Sequence, residues 1–398
     1  MTDEKFTLTV WDLGNSLNPE VDEQIDDAFE AKYPNVTIKR VHQPPETYPT
    51  LLRTAMAAQK GPDVFAAYGG KWVLDFPAVR ELDDLMAPGD EATLTAWAEN
   101  AKLAGGKHFT VPTETAGTVI YYNKALFREA GLDPEAPPTT WDAFLATCDR
   151  LKSAGIVPFA GGFKDGGLGE IMFQNFAPQY IPDTKMDEQV ANPDWQDPSV
   201  SKGFDRLREL HDRGCFTPDS ETINLFPDVV NQFKSGKAAM SIGFTGGDVH
   251  WKLFRETAWG KKDLGVALFP LVADGLWDEQ RIQIGMAGGS AMTKWTKHPE
   301  VVYEYMMFVA NKENSELRFE KNGAMPANVN AKPNVTDEAA KQIIEWMRTK
   351  QTHLGGQIGA IGANVEIALL KVVPQVVSGD KKWDDVSDQV QSEQEKSN

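Results

Sequence analysis

GKHFTVPTETAGTVIYYNKALFREAGLDPEAPPTTWDAFLATCDRLKSAGIVPF, residues 106–159, is the stretch from which the architecture is read. Its apolar-aromatic run at 117–122 has strand composition. The run passes through Asn123 and Lys124 into a short helical pattern at 125–130 that stops at Gly131. A Pro-rich spacer at 134–138 leads to Thr140, a fitting N-cap for Trp141, and to a helix of about a dozen residues that closes at Gly155. A strand, a short helix, a spacer and a longer helix in that order hand the chain from one lobe to another.

Working outward, the chain has 398 residues, enough for two cores, because single cores stop growing at roughly 250–300 residues. Hydrophobic content of 41% and charged content of 25% are those of a soluble globular protein. No apolar run approaches the roughly 20 residues of a membrane span. A net charge of −18 with 40 scattered basic residues excludes a phosphate-binding surface of the kind nucleic acids need. The 11 Trp, 8 Tyr and 20 Phe are more informative, since aromatic faces in an acidic, polar chain suit sugar rings. Only two cysteines occur, Cys148 and Cys215, so no disulfide framework is expected; a pair between them is conceivable in an oxidising compartment, and two buried thiols are the preferred reading. Met1-Thr2-Asp3-Glu4 has neither a basic n-region nor an apolar h-region. Two readings fit that start: a cytoplasmic protein, or a mature form lacking its export signal or lipid-bearing cysteine.

The opening reads β-loop-α-β: a strand at 6–11, a polar loop at 12–18, a helical pattern at 21–33 and a strand at 36–41. That unit is a parallel pair with a right-handed crossover. Ligands of such sheets lie beyond the carboxyl ends of the strands, which puts Asp12, Asn15 and Ser16 at a ligand-facing edge; a solvated loop is the plain alternative. Gln43 and Glu46, with His42, follow the second strand on the same rim. A helix at 48–59 and a strand at 62–65 precede a turn carrying Tyr68, Lys71 and Trp72. Glycine-dense 160–167 is neither GxGxxG nor a phosphate loop, and its glycines suit close backbone approach to a ligand, with Phe163 offering a ring face and Lys164 and Asp165 polar atoms. Residues 183–198 read as a polar surface excursion, 200–212 and 299–311 as amphipathic helices, and 365–377 as an apolar helix.

The order P, YYNK, LF, AGL, P, TW, G, PF across 112–159 resembles the extracellular solute-binding proteins of ATP-driven importers, in particular the sugar-binding group that includes maltose-binding protein. Further pieces extend it: GPDVF at 61–65, GKAAM with IG at 236–243, GVALFP at 265–270, GMAGGSAM at 285–292 and GAMP at 323–326. The resemblance implies an α/β, two-lobed periplasmic-binding-protein fold, each lobe a mainly parallel sheet flanked by helices, with three interlobe crossings. It implies an N-terminal lobe of 1–113 plus 268–322 and a C-terminal lobe of 114–267 plus 323–398. Ligand contact is then expected from Tyr68, Lys71 and Trp72, from Glu114 at the first crossing, from Met286, and from Gln357 in a Gly-rich loop. After the strand at 238–242 the family often carries an early stacking Trp; here the loop reads FTGGDVHW, so Phe244, Asp248 and Trp251 are the candidates, and ligand identity is the feature most affected.

The six histidines form no HxxxH pair and the cysteines no cluster, so no metal site is expected, and no cofactor. There is no GxSxG elbow. Two distant carboxylates could still serve a glycosidase. The expectation is therefore a non-enzymatic receptor, monomeric and extracytoplasmic, either periplasmic or lipid-anchored. It binds a carbohydrate, about 1 kcal/mol being added by each stacked ring, and delivers it to an importer permease by hinge closure. The alternatives are a carbohydrate-active hydrolase, and the same receptor fold with a non-sugar solute such as a phosphorylated polyol.

Overall fold

A computed structural model describes residues 4–13, 19–43, 47–246, 250–353, 361 and 363–397. In chain order its strands are β1 (Phe6–Leu13), β2 (Val36–Gln43), β3 (Val64–Ala67), β4 (Thr110–Ala116), β5 (Thr118–Asn123), β6 (Val157–Phe159), β7 (Ala238–Phe244), β8 (Leu264–Ala267), β9 (Ile282–Gln283), β10 (Gly285–Met292) and β11 (Thr352–His353). The chain separates into two units. The first comprises the described residues up to Ala116 with Gly285–Val335, and the second Gly117–Ile284 with most of the chain after Thr336. Residues 268–284 belong to the second unit and 323–335 to the first.

The first unit holds a five-stranded sheet in the order β2-β1-β3-β10-β4. β1 runs parallel to β2 and β3, and β10 is antiparallel to both β3 and β4, so four strands share one direction and β10 alone is reversed. The second unit repeats the logic with the order β6-β7-β5-β8, where β5 is the reversed strand. Each reversed strand is the one by which the chain enters its unit, β5 after Ala116 and β10 after Ile284. A strand arriving directly needs no crossover helix, which frees it from the parallel direction that crossover connections impose.

Alternation along the first sheet feeds two cores. Leu8, Val10, Val64, Val111 and Met292 face the helices Pro19–Lys32 and Pro299–Val309, where Val302, Tyr305, Met306 and Val309 are buried as their spacing predicts. Phe65, Ala67 and Ala291 face the opposite side, against Tyr48, Leu52 and Phe76.

In the opening stretch, Asn123 Oδ1 accepts from the amides of Ala125 and Leu126 to start the helix Lys124–Glu129, and Thr140 Oγ1 caps Trp141–Ser153 through the Ala143 amide. Sequence reading misses β4, because Pro112 within a Thr-rich run argues against a strand. The strand tolerates it at a register irregularity opposite Gly289. The polar stretch after Ile181 holds a helix, Asp183–Ala191, buried mainly through Val190. Among the described residues no helix is long and apolar enough to cross a membrane.

Candidate ligand-binding residues

In the first unit the candidates sit at the carboxyl ends of β1, β2 and β3, and most are tied into the protein itself. Asp12 ends β1 with both carboxylate oxygens engaged, Oδ2 accepting from Arg40 Nη1 at 2.7 Å and Oδ1 bonded to His42 Nδ1 at 2.6 Å. Arg40 reaches back from β2 to Asp26, donating from Nε and Nη2 at 2.7 and 2.8 Å. Tyr305 completes the cluster, accepting from Arg40 Nη2 at 2.8 Å and donating to Asp26 Oδ1 at 2.7 Å. Gln43 is half-buried at the end of β2.

Glu114, on β4, faces Arg318 Nη1 at 3.5 Å, and the same guanidinium donates to Asp22 Oδ1 at 2.6 Å. Burial raises the Glu114 carboxyl above its ordinary value, and the positive charge of Arg318 opposes that shift. Sequence reading could not find Arg318, which lies about two hundred residues along the chain and carries no local motif.

After β3, Tyr68 meets Trp72 edge to face at 5.4 Å, and Trp72 leans on Phe76 at 4.6 Å. Trp72 is half-buried, so it is both the start of the helix Lys71–Leu74 and a partly available ring. Burial lowers the Lys71 ammonium below its ordinary value. Met286 is a correction. It is buried, its Sδ accepts from Thr110 Oγ1 at 3.7 Å, and it occupies the space beside Gly69 and Gly289, where an added Cβ would come within 2.9 and 2.3 Å of its atoms. The small residues of that strand make room for Met286 in the core and do not aim it at a ligand.

In the second unit two of the three expected rings are also corrected. Phe163 is wholly buried, edge-on to Phe216 at 4.8 Å. The glycine-dense loop around it is held by its own bonds: Asp165 accepts from the Gly167 amide at 3.2 Å and the Leu225 amide at 3.0 Å, and the exposed Lys164 donates its backbone N–H to Ile223 O at 3.0 Å. Trp251 lies buried on the helix His250–Arg255.

Phe244 remains available. It ends β7 half-exposed and stacks near-parallel on Phe226 with centroids 6.0 Å apart, and Phe226 is 41% exposed. His250 backs this pair. Its Nδ1 accepts the Phe244 N–H at 3.1 Å, which puts the remaining proton on Nε2, and burial lowers its pKa to about 4, so the ring is neutral. Phe226, Phe244, Val229, Ile242 and Ile171 line an almost wholly apolar pocket. Phe226 escapes sequence reading because an exposed ring is set by what fails to cover it. Asn15, Ser16, Glu46, Asp248 and Gln357 lie outside the described residues.

A buried polar chain runs through the second unit. Asn175 Nδ2 donates to Thr118 Oγ1 at 2.8 Å, Thr118 donates to Gln283 Oε1, Gln283 Nε2 donates to Gln174 Oε1 at 3.3 Å, and Gln174 Nε2 donates to Glu170 Oε1 at 3.0 Å. At its end, burial and the neighbouring Glu366 push the Glu170 carboxyl up to about 8. From the ordinary 4.5 upward the unfolded chain releases this proton while the folded chain keeps it, so Glu170 costs stability progressively as pH rises to about 8. Urea midpoints measured between pH 5 and 8.5 are expected to fall across that window, and Glu170→Gln is expected to flatten the fall. An unchanged slope in the variant would remove Glu170 as its source.

Among the described residues no group of three or more His, Cys, Asp or Glu side chains could hold a metal ion.

Residues 12–316 match the model of the bacterial extracellular solute-binding protein family, and the chain belongs to that family, whose members are binding proteins of importers. Among curated relatives, the sn-glycerol-3-phosphate-binding periplasmic protein UgpB of Pectobacterium atrosepticum is 29% identical over 245 residues, covering 59% of this chain and 51% of its own length. The match thus spans about half the length of that relative. Two solved structures share the fold at 20% identity. One, from work on xylan utilization by Caldanaerobius polysaccharolyticus, has a TM-score of 0.82 over 98% of this chain and 100% of its own; the other, a chitin oligosaccharide binding protein, has a TM-score of 0.80 over 99% of each. These similarities agree with the resemblance read from the sequence and with its two-lobed α/β fold.

Proposed function

We propose that the chain is a monomeric receptor that binds a carbohydrate, an oligosaccharide in preference to a single sugar, and delivers it to the permease of an ATP-driven importer, closing by hinge bending. The observation that carries this reading is the partly exposed Phe226–Phe244 ring pair in a chain of the solute-binding family. The partly exposed Phe226 ring, stacked on Phe244 and with the neutral His250 behind it, offers an apolar face of the kind that matches the C–H face of a pyranose. Family membership sets the hydrolase alternative aside.

A second reading is favoured by the similarity to UgpB: the ligand would be a phosphorylated polyol such as sn-glycerol 3-phosphate. An aromatic pair is a poor partner for a phosphate, which binds to cations and N–H donors.

Titration of xylo-, chito- and malto-oligosaccharides and of sn-glycerol 3-phosphate, followed by tryptophan fluorescence and calorimetry, decides between the two. An oligosaccharide is expected to bind, and Phe226→Ala is expected to weaken it roughly 5- to 10-fold with the fold intact by circular dichroism. Binding of the glycerol phosphate alone, or an unaltered sugar affinity in the variant, contradicts the carbohydrate reading.

A further inference from the structure

Cys148 lies on the buried face of the helix Trp141–Ser153, beside Phe144 and Leu151. Cys215 lies distant in sequence, just after Gly214, where the chain turns from the helix Pro198–Asp212 to run along β6. The Phe159 amide donates to Cys215 O at 2.9 Å, and the Thr217 amide donates to Phe159 O at 3.1 Å. The helix carrying Cys148 packs on the same strand through the ring contact of Phe144 with Phe159. Both thiols are free and wholly buried, on segments that meet at β6.

The flanking residues hold the two segments together on one side of that contact. Asp149, next to Cys148, accepts from Arg213 Nη1 at 3.2 Å, and Lys152 Nζ donates to the Arg213 carbonyl. With Asp149 and Lys152 both tied to Arg213, and both segments packed on Phe159, Cys148 and Cys215 are held in neighbouring pieces of chain that a disulfide of about 2.05 Å could join.

We propose that Cys148 and Cys215 form an intramolecular disulfide in the exported protein. Membership of an extracellular family takes the chain out of the reducing cytoplasm, and disulfides persist in oxidising compartments. The oxidant is a disulfide, of a small molecule or of a dithiol oxidase. The Cys215 thiolate attacks one sulfur of that disulfide and releases one thiolate. The Cys148 thiolate then attacks the Cys215 sulfur of the mixed disulfide and releases the second. Two protein thiols become one disulfide, and the oxidant is reduced to two thiols. Because both sulfurs are buried in the folded chain, the exchange takes place while the second unit is folding, before Phe159, Phe144 and Phe216 cover them.

The test is a thiol count on protein refolded in a glutathione redox buffer and then denatured without reductant. No maleimide-reactive thiol and an intact mass lower by two hydrogens are expected, together with a melting temperature that falls on the order of 5–10 °C when reductant is added. Cys148→Ser and Cys215→Ser variants are each expected to expose one reactive thiol and to melt at a temperature that reductant does not change. Two reactive thiols per chain after oxidising refolding, or linkage only between chains on a non-reducing gel, overturns the proposal.

Discussion

Arg40→Met is expected to destabilise the protein by about 3–5 kcal/mol, read as a lower urea midpoint with an unchanged slope. Arg40 sits between Asp12 and Asp26 at 2.7 Å from each, with side-chain exposures of 12%, 15% and 10% for the three residues. Methionine keeps most of the side-chain volume and removes the charge, so the cost comes from two carboxylates left with no cation between them. Pairing the substitution with Asp26→Asn is expected to recover much of the loss, because the uncompensated charge and not the missing contact dominates. A single-variant loss under about 1 kcal/mol would mean that water reaches the carboxylates as it does at a surface pair. The cluster also sets the position of Asp12, so ligand affinity in Arg40→Met separates a structural role for Asp12 from a binding one: unchanged affinity at a lowered midpoint assigns Asp12 to the fold.

Gly117→Ala is expected to cost roughly 3 kcal/mol or more, or to abolish soluble expression. An added Cβ would stand 1.5 Å from the backbone carbonyl oxygen of Gln283. Neither side can yield easily. The Gly117 amide donates to Thr245 Oγ1 at 2.8 Å and its carbonyl accepts from the Thr245 amide at 2.9 Å, while Gln283 is held by β11 and by the polar chain through Thr118 and Gln174. Gly288→Ala is the matched control: nothing lies within 4 Å of its added Cβ, and a loss under about 1 kcal/mol is expected. Equal midpoints for the two variants would show that the Gln283 segment shifts freely. Since Gly117 is the first residue after the chain leaves the first unit, the pair also reports how much rigidity that passage requires.

Much of the architecture was legible in residues 106–159 and the repeats of their logic elsewhere. Asn123 and Thr140 announce helix starts by side-chain chemistry that acts within three residues, and Gly131 and Gly155 mark the ends with positive φ. The buried stripe of 299–309 is equally local, since a period near 3.6 needs no partner to be visible. β4 was hidden by Pro112, whose tolerance depends on the irregular pairing with Gly289 across the sheet.

The candidate site was legible only in outline. Asp12, Gln43 and Tyr68 do lie at strand ends, where chain order alone puts them. What each side chain does there was decided elsewhere: Arg40 and His42 take up Asp12, Arg318 faces Glu114, Phe216 covers Phe163, and Gly69 and Gly289 make the space that Met286 fills.

By itself, then, the sequence determined the element order, the turn and cap positions, the two-lobed family and the absence of a phosphate-binding motif, because each depends on residues close together in the chain. Only the tertiary structure decided that Phe226 and Phe244 are the partly exposed rings while Phe163 and Trp251 are core, and that the segments bearing Cys148 and Cys215 meet at β6. Exposure and contact between distant residues are set by long-range packing, for which a single sequence carries no local signal.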